Sequence, residues 1–375
     1  LSRAAIEPEA AMRAALAQAR RASGRVWPNP AVGAVVVRGA RVLGAGFTQP
    51  PGGPHAEVVA IRRATQRHGA AALRGATLAV TLEPCCHQGR TPPCTDAVRA
   101  SGIARVWVGV RDPHPRVAGR GLAILRRAGL SVETGVLADA CARQHRGFTS
   151  MVERGRPFVT LKLAATLDGR IATARGESRW ITGPAARAHV HRLRAASDAI
   201  LIGAGTALAD DPVLTARRGA RVVQRPVRIL LDTQLRVPAR ARLYRGDAER
   251  TWVFCSDSAP HVRQRAIAAT GARLLPIRLR SGKIPLAAAL DWLGREGLGS
   301  LLVEGGGTLA AGFVREGLVD ELLWFAAPRL LGADGLPALA ALGVGRLANA
   351  PALAIERVRR VGADWLFEAR LARPR

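Results

Sequence analysis

The sequence predicts an α/β protein of two domains, and three observations carry that prediction. Its 375 residues exceed one ordinary domain. Apolar runs of strand length alternate with amphipathic helical stretches along the whole chain, as layered α/β architectures require. A turn-rich stretch, Glu153-Arg154-Gly155-Arg156-Pro157, separates two complete alternations. The expected division is residues 1–147 and 148–375. A hydrophobic content of 48% supplies both cores, and with only 4% aromatic residues those cores are mainly aliphatic.

The first alternation opens with a helix over Glu9 to Arg21, which puts Met12, Ala15, Leu16 and Ala19 on one side. Strands follow at Ala31–Val37 and Arg41–Phe47, joined by a hairpin turn at Arg38-Gly39-Ala40. Gly52-Gly53-Pro54 is a turn, and His55-Ala56-Glu57 is read as the first turn of the next helix. Thr77–Leu82 is a buried strand. Cys94 opens a helix, Ala104–Val110 is a strand, Gly121–Ala128 a helix and Ser131–Val136 a last strand. Ala138 to Met151 is a helical connector.

The second alternation has strands at Phe158–Ala164, Asp198–Gly203, Val227–Asp232, Thr251–Cys255, Arg273–Ile277, Ser300–Glu304 and Glu321–Ala327. Helices lie at Pro184–Ala195, Pro260–Thr270, Pro285–Arg295 and Thr308–Glu316. Two strands, Leu353–Val361 and Trp365–Leu371, close the chain around Gly362-Ala363-Asp364. No fixed-period repeat is present.

Chemistry concentrates in Pro84-Cys85-Cys86-His87-Gln88-Gly89-Arg90-Thr91-Pro92-Pro93-Cys94, read with His55-Ala56-Glu57. One imidazole and two thiolates make a three-ligand set for Zn²⁺, and a catalytic zinc keeps its fourth position open to water. Bound zinc brings the pKa of that water to about 7. Glu57 is not needed as a ligand and can carry protons. His-x-Glu followed by Pro-Cys and a further Cys is the signature of zinc nucleobase deaminases. The bland alternative, buried thiols and a surface histidine, does not account for the order and spacing of these residues. Cys86 and His87 are spare ligand candidates. Pro84 favours Cys85 over Cys86, and His87 is read as facing substrate.

The net charge is +28. Such a value ordinarily suggests nucleic acid or acidic ligands. Here the basic residues are nearly all Arg, with Lys only at Lys162 and Lys283, and they are scattered rather than gathered into a stripe. Arginine-rich composition is the reading, so nucleic acid is not the expected partner, while a phosphorylated small substrate benefits from the same field. Five cysteines, three of them committed to metal, argue against a disulfide framework and for a reducing cytoplasm. No apolar run reaches the roughly 18 residues of a membrane span. The start, Leu1–Glu7, lacks the apolar core of a signal peptide. A homo-oligomer is left open.

Leu301-Leu302-Val303-Glu304-Gly305-Gly306-Gly307-Thr308 runs from a buried strand through glycines into a helix. Glycines let backbone N–H groups approach phosphate oxygens. Triple glycines also make ordinary turns, and this stretch lacks the Gly-x-Gly-x-x-Gly spacing of a dinucleotide fingerprint.

The long zinc loop, with Trp27-Pro28-Asn29-Pro30-Ala31-Val32-Gly33 and Asp112-Pro113-His114-Pro115-Arg116-Val117-Ala118-Gly119-Arg120-Gly121, resembles the deaminase half of the bifunctional riboflavin-biosynthesis deaminase–reductase family. That family usually has Ser at the position of Cys86 and commonly Asn at that of His114. Lys162-Leu163-Ala164-Ala165-Thr166-Leu167-Asp168-Gly169-Arg170, Gly176–Thr182 and Thr206–Arg217 resemble its reductase half. The resemblance covers essentially the whole chain. It implies a cytidine-deaminase-like three-layer domain followed by a dihydrofolate-reductase-like α/β domain, with Zn²⁺ and NADPH as cofactors. It implies zinc on His55, Cys85 and Cys94, with Glu57 catalytic. Asn29, His87 and Arg90 would meet the pyrimidine substrate. Ala164, Trp180, Thr206, Asp210, Thr233, Gly306, Gly307, Thr308 and Gly312 would meet NADPH. Ser178, Arg194, Leu214, Arg217 and Glu304 would meet the ribosyl phosphate, and Lys162 is the charged candidate for a reductase role. The implied reactions are hydrolytic deamination of a diaminopyrimidinone ribosyl phosphate and NADPH-dependent reduction of its ribosyl group to ribityl. The rival reading is a base deaminase acting on tRNA.

Overall fold

The computed structural model describes residues 5–371. The chain divides into two compact units, one running through Arg156 and one beginning at Pro157, with Glu296–Gly299 grouped with the first. The turn-rich Glu153–Pro157 stretch is therefore where the chain passes from one to the other.

The first unit holds α1 (Pro8–Ala22), β1 (Gly33–Arg38), β2 (Arg41–Phe47), α2 (Ala56–His68), β3 (Thr77–Leu82), α3 (Cys94–Ala100), β4 (Arg105–Val110), α4 (Arg120–Arg127), β5 (Ser131–Thr134) and α5 (Ala138–Arg154). Its sheet has the order β2-β1-β3-β4-β5. β1 and β2 form an antiparallel hairpin, β3 runs antiparallel to β1, and β3, β4 and β5 are parallel. Alternation along the strands divides the apolar side chains between two faces. Ala34, Val36, Leu78, Val80, Val106 and Val108 pack with α2, α3 and α4. Val35, Val37, Ala79 and Trp107 pack with α1 and Cys141 of α5. The result is three layers. α2 lies unusually close on β2: a Cβ at Gly44 would stand 2.3 Å from the Ala60 carbonyl oxygen, and one at Gly46 2.4 Å from that of Ala56. These two glycines seat the helix whose start carries the metal candidates.

His55 does not lie in the first helical turn as the sequence suggests. It is the residue before α2, with extended backbone at φ −73° and ψ 167°. A capping residue has non-helical angles although its carbonyl already accepts a helical bond, and the His55 carbonyl accepts from the Val59 N–H.

The second unit holds β6 (Phe158–Thr166), β7 (Arg170–Ala172), α6 (Pro184–Ala196), β8 (Ala199–Gly203), α7 (Ala204–Asp210), β9 (Ala216–Arg218), β10 (Arg221–Gln224), β11 (Val227–Leu231), β12 (Thr251–Ser256), α8 (His261–Ala268), β13 (Arg273–Ile277), α9 (Leu286–Arg295), β14 (Ser300–Val303), α10 (Gly307–Arg315), β15 (Glu321–Ala327), β16 (Leu336–Pro337), β17 (Leu353–Val361) and β18 (Asp364–Leu371). A nine-stranded sheet runs β13-β12-β11-β8-β14-β6-β15-β18-β17. The β13-to-β15 stretch of that order is parallel, and β18 and β17 add an antiparallel edge. The chain leaves β8 toward β11 on one side, whereas it leaves β14 toward β15 on the other. Strand connections therefore diverge between β8 and β14. Open α/β sheets bind their ligands at such a crevice, outside the carboxyl ends of the strands.

Candidate active sites

Each member of the metal trio is delivered by a different element. His55 precedes α2, Cys85 follows β3, and Cys94 is the first residue of α3. The donor atoms of His55, Cys85 and Cys94 all lie within 4.8 Å of one another. His55 Nδ1 is 3.5 Å from Cys85 Sγ and 3.3 Å from Cys94 Sγ. Tetrahedral zinc with ordinary Zn–S and Zn–N lengths sets an S···N edge of about 3.6 Å. The donor set and its spacing therefore fit zinc. The Cys85 thiol is pulled well below its ordinary range, first by the hydrogen bond from the Cys94 thiol, against burial, and then by His55. Cys86 points elsewhere, its thiol donating to the Arg116 carbonyl at 3.5 Å.

A cavity of about 200 Å³ adjoins the trio, lined among others by Asn29, His55, Glu57, Cys85, His87 and His114. Burial pushes the Glu57 carboxyl up to about 7; the Cys85 charge adds to this and the His55 charge opposes it. A carboxyl near neutrality is suited to both taking and giving a proton. His87 and His114 stack with ring centroids 5.8 Å apart. Arg90 is exposed on the loop and is not among the residues that line the cavity.

Glu83, beside the metal trio, is a charged residue to which sequence reasoning gave no role. It is buried, at 3% exposure. One carboxylate oxygen accepts from the Asp112 N–H at 3.2 Å and the Gly119 N–H at 2.9 Å; the other accepts from Leu122 N–H at 3.3 Å. It ties the Asp112–Gly121 loop to the strand end that presents Cys85. Gly121 completes the fit, since a Cβ there would stand 2.2 Å from the Pro84 carbonyl oxygen. The available signal was the Glu in Leu-Glu-Pro-Cys: a charged residue beside a wholly buried strand end needs partners.

In the second unit the predicted residues collect at the carboxyl ends of the parallel strands. Ala164 is on β6, Thr206 and Asp210 are on α7 after β8, Thr233 follows β11, and Gly306, Gly307 and Thr308 follow β14. The Gly306 N–H donates to Thr206 Oγ1 at 3.0 Å, joining the two lips of the crevice. A Cβ at Gly205 would meet open space. Small residues and hydroxyls lining an open crevice at a topological switch point fit an extended nucleotide. Trp180 is 61% exposed, with the Arg187 guanidinium 4.5 Å from its ring centroid. Gly312 lies further along α10, where a Cβ would stand 3.2 Å from Leu286.

The substrate candidates form an ion triad. Arg194 Nε and Nη2 donate to the two Glu304 oxygens at 2.7 and 3.1 Å, and Lys162 Nζ lies 3.2 Å from Glu304 Oε2. The Glu304 side chain is only 6% exposed. Burial alone would raise its pKa, but Arg194 and then Lys162 overcome that and hold it at about 2. Leu214 is buried with φ 55°, while Arg217 is exposed. Ser178 is half-buried beside the exposed Arg179 and Trp180.

Together the folds and sites define a zinc-type deaminase unit joined to a reductase unit. Residues 6–110 match the cytidine and deoxycytidylate deaminase zinc-binding region, and residues 157–367 match the RibD C-terminal domain. The riboflavin biosynthesis protein RibD of Escherichia coli K12 is 40% identical over 370 residues, covering 96% of this chain and 98% of that protein. The corresponding protein of Bacillus amyloliquefaciens is also 40% identical, covering 94% of this chain and 93% of its own. A solved Acinetobacter baumannii RibD superposes with TM-score 0.83 at 36% identity, covering 97% of this chain and 99% of that one. The Thermotoga maritima diaminohydroxyphosphoribosylaminopyrimidine deaminase/5-amino-6-(5-phosphoribosylamino)uracil reductase gives TM-score 0.84 at 37% identity, covering 97% of this chain and 99% of that one. The chain belongs to the RibD family, bifunctional deaminase–reductases of riboflavin biosynthesis that use zinc and NADPH. A full-length match to two-domain relatives disfavours the tRNA-deaminase reading. Among the described residues no helix is long and apolar enough to cross a membrane.

Proposed function

We propose that this chain deaminates a diaminopyrimidinone ribosyl 5′-phosphate in its first unit and reduces the ribosyl group of the product to ribityl in its second. The deaminase and phosphoribosylaminouracil reductase identity of the Thermotoga maritima relative supports this choice of substrate. The observation that carries it is the His55–Cys85–Cys94 trio at tetrahedral spacing beside the buried Glu57.

In this reading His55, Cys85 and Cys94 hold zinc, which when bound makes water available as a nucleophile at neutral pH. Glu57 accepts the proton of the attacking water and delivers it to the departing ammonia. Asn29 and His87 orient the pyrimidine against the cavity wall, and Arg90 approaches from the exposed loop. In the second unit NADPH supplies hydride. Ala164, Trp180, Thr206, Asp210, Thr233 and the Gly306–Gly312 segment hold it along the crevice. Arg217, Ser178, the Leu214 backbone and the Arg194–Glu304 pair hold the ribosyl phosphate. Glu304, ionised down to about pH 2, is an anchor rather than a proton donor, which leaves Lys162 as the charged group for the reductase step. The sequence-read division at 147/148 falls inside α5, so a deaminase fragment that keeps the helix whole ends at Arg156. We place the enzyme in the cytoplasm, with small phosphorylated pyrimidines as its partners.

One assay tests the proposal. Zinc-loaded protein should release ammonia from the diaminopyrimidinone phosphate without NADPH, and should oxidise NADPH only once deaminated product is present. Oxidation of NADPH with no ammonia released would overturn it.

A further inference from the structure

His191 lies on α6 three residues before Arg194. Its Nδ1 accepts the backbone N–H of Arg217 at 3.2 Å. Arg194 reaches the same segment from the next turn, its Nη1 donating to the Thr215 carbonyl at 3.3 Å. Within the segment, Arg217 Nε donates to Thr215 Oγ1 at 3.1 Å. Two α6 side chains thus grip Thr215–Arg217 at the mouth of the site. Arg194 is fixed in turn by Glu304, which Lys162 also holds. The segment needs such anchorage. It follows Leu214, whose φ of 55° is a conformation L side chains rarely adopt, and it enters β9, a strand of three residues paired, among the described residues, with the short β10 alone. The exposed Arg217 guanidinium therefore has its direction set by this backbone, which leaves the buried Leu214, Thr215 and Ala216 and is tied to α6 by His191 and Arg194.

We infer that His191 is a positioning residue for the reductase site, fixing the Arg217 backbone so that its guanidinium faces the substrate phosphate. This rests on the reading of Arg217 as a phosphate contact. Arg suits that task because its planar fork donates two bonds to phosphate at once, but only from a fixed direction. Burial, then the neighbouring Arg194 and Arg217 charges, against Glu304 and the Thr215 backbone, hold the His191 ring below its ordinary pKa. The ring is thus neutral at physiological pH and Nδ1 is free to accept. No contact of His191 with the reacting atoms is required.

The test compares four proteins with the deaminated ribosylaminouracil 5′-phosphate and with its dephosphorylated counterpart, NADPH being saturating. His191→Ala should raise KM for the phosphate about three- to tenfold, the worth of one hydrogen bond, with kcat within twofold. His191→Asn, whose Oδ1 can take the place of Nδ1, should restore most of the wild-type KM. Arg217→Met should raise KM at least as much as His191→Ala. Neither His191 variant should alter KM for the dephosphorylated compound or the rate of deamination. A wild-type KM in His191→Ala beside a raised KM in Arg217→Met would overturn the positioning role alone. Unchanged KM in Arg217→Met would overturn the phosphate reading itself. Equal damage in His191→Asn and His191→Ala, or loss on the dephosphorylated compound as well, would show a merely structural histidine and sink the inference.

Discussion

The two sites of this chain are assembled in opposite ways. The deaminase site is built from nearby stretches. Two of its three metal candidates, Cys85 and Cys94, bracket one loop, the third is at the helix start after a Pro turn, and Glu83 clamps the flanking loop with three backbone hydrogen bonds. Its side chains are electrostatically unfinished, with two thiols and a buried carboxyl gathered around one imidazole. The reductase site draws Lys162, Arg194 and Glu304 from three separate elements and compensates its one buried carboxylate with two cations. The contrast teaches where each site is vulnerable. The first depends on a cation and on its proton carrier; the second depends on keeping a buried charge set intact.

The sharpest break of that contrast is at the metal. Cys85→Ser should lose zinc by metal analysis and lose deamination outright, while reduction of supplied deaminated product continues. Cys86→Ser should keep the metal, because its thiol faces the Arg116 carbonyl. Chelation of the wild-type protein should reproduce the Cys85→Ser pattern. If chelation abolished reduction as strongly as deamination, the sites would not be independent.

Next in size is Glu304→Gln, which leaves Arg194 and Lys162 without their shared counter-charge. Removing one partner of a buried ion set costs about 3–5 kcal/mol, and denaturant melts of the second unit should read that loss. The sign with pH is fixed. The folded value of Glu304, about 2, lies below the ordinary 4.5, so its stabilisation is complete above pH 4.5 and disappears as pH falls toward 2. The wild-type unit should weaken through that window, and the Glu304→Gln unit should be flatter there. Parallel pH profiles would remove Glu304 as the source.

A smaller effect belongs to Glu83→Gln, which keeps size but loses the charge that accepts three N–H groups. We expect about 1–2 kcal/mol of lost stability in the first unit. Deamination should slow roughly tenfold, as the loop behind Cys85 loosens. Wild-type deamination in a stable Glu83→Gln protein would show that the clamp is dispensable.

The same contrast explains what could be read in the sequence. The zinc trio was legible because ligand chemistry requires particular residue types at short spacing, and because β3 is a continuous apolar run. The long parallel strands of the second unit were legible as continuous apolar runs. The members of the ion triad were reached only through the family resemblance, and their pairing was not read, because in an arginine-rich chain nothing marks Arg194 as buried and paired. Arg228 makes the same point: at 1% exposure among buried strand neighbours it donates to Asp247 and Thr251, and its residue type alone does not separate it from the exposed arginines of the chain. Short elements escaped for another reason. β7, β9, β10, β16 and α7 are too brief to show a period. Periodicity also puts His55 one residue too far into its helix, because it registers buried faces and not caps.

The proposed function assigns the two chemistries to separate residues, and Glu57→Gln tests that separation most directly. Two rates are measured on one preparation of known zinc content. Glu57→Gln keeps size and hydrogen bonding but removes the proton carrier, while the three candidate ligands remain. General acid–base catalysis contributes about 10²–10⁴-fold, so deamination should fall by at least that factor with zinc unchanged. Supplied with already deaminated substrate, the same protein should oxidise NADPH at the wild-type rate. Near-normal deamination would remove Glu57 from the chemistry. Loss of reduction in a folded, zinc-loaded sample would contradict the separation of the two sites.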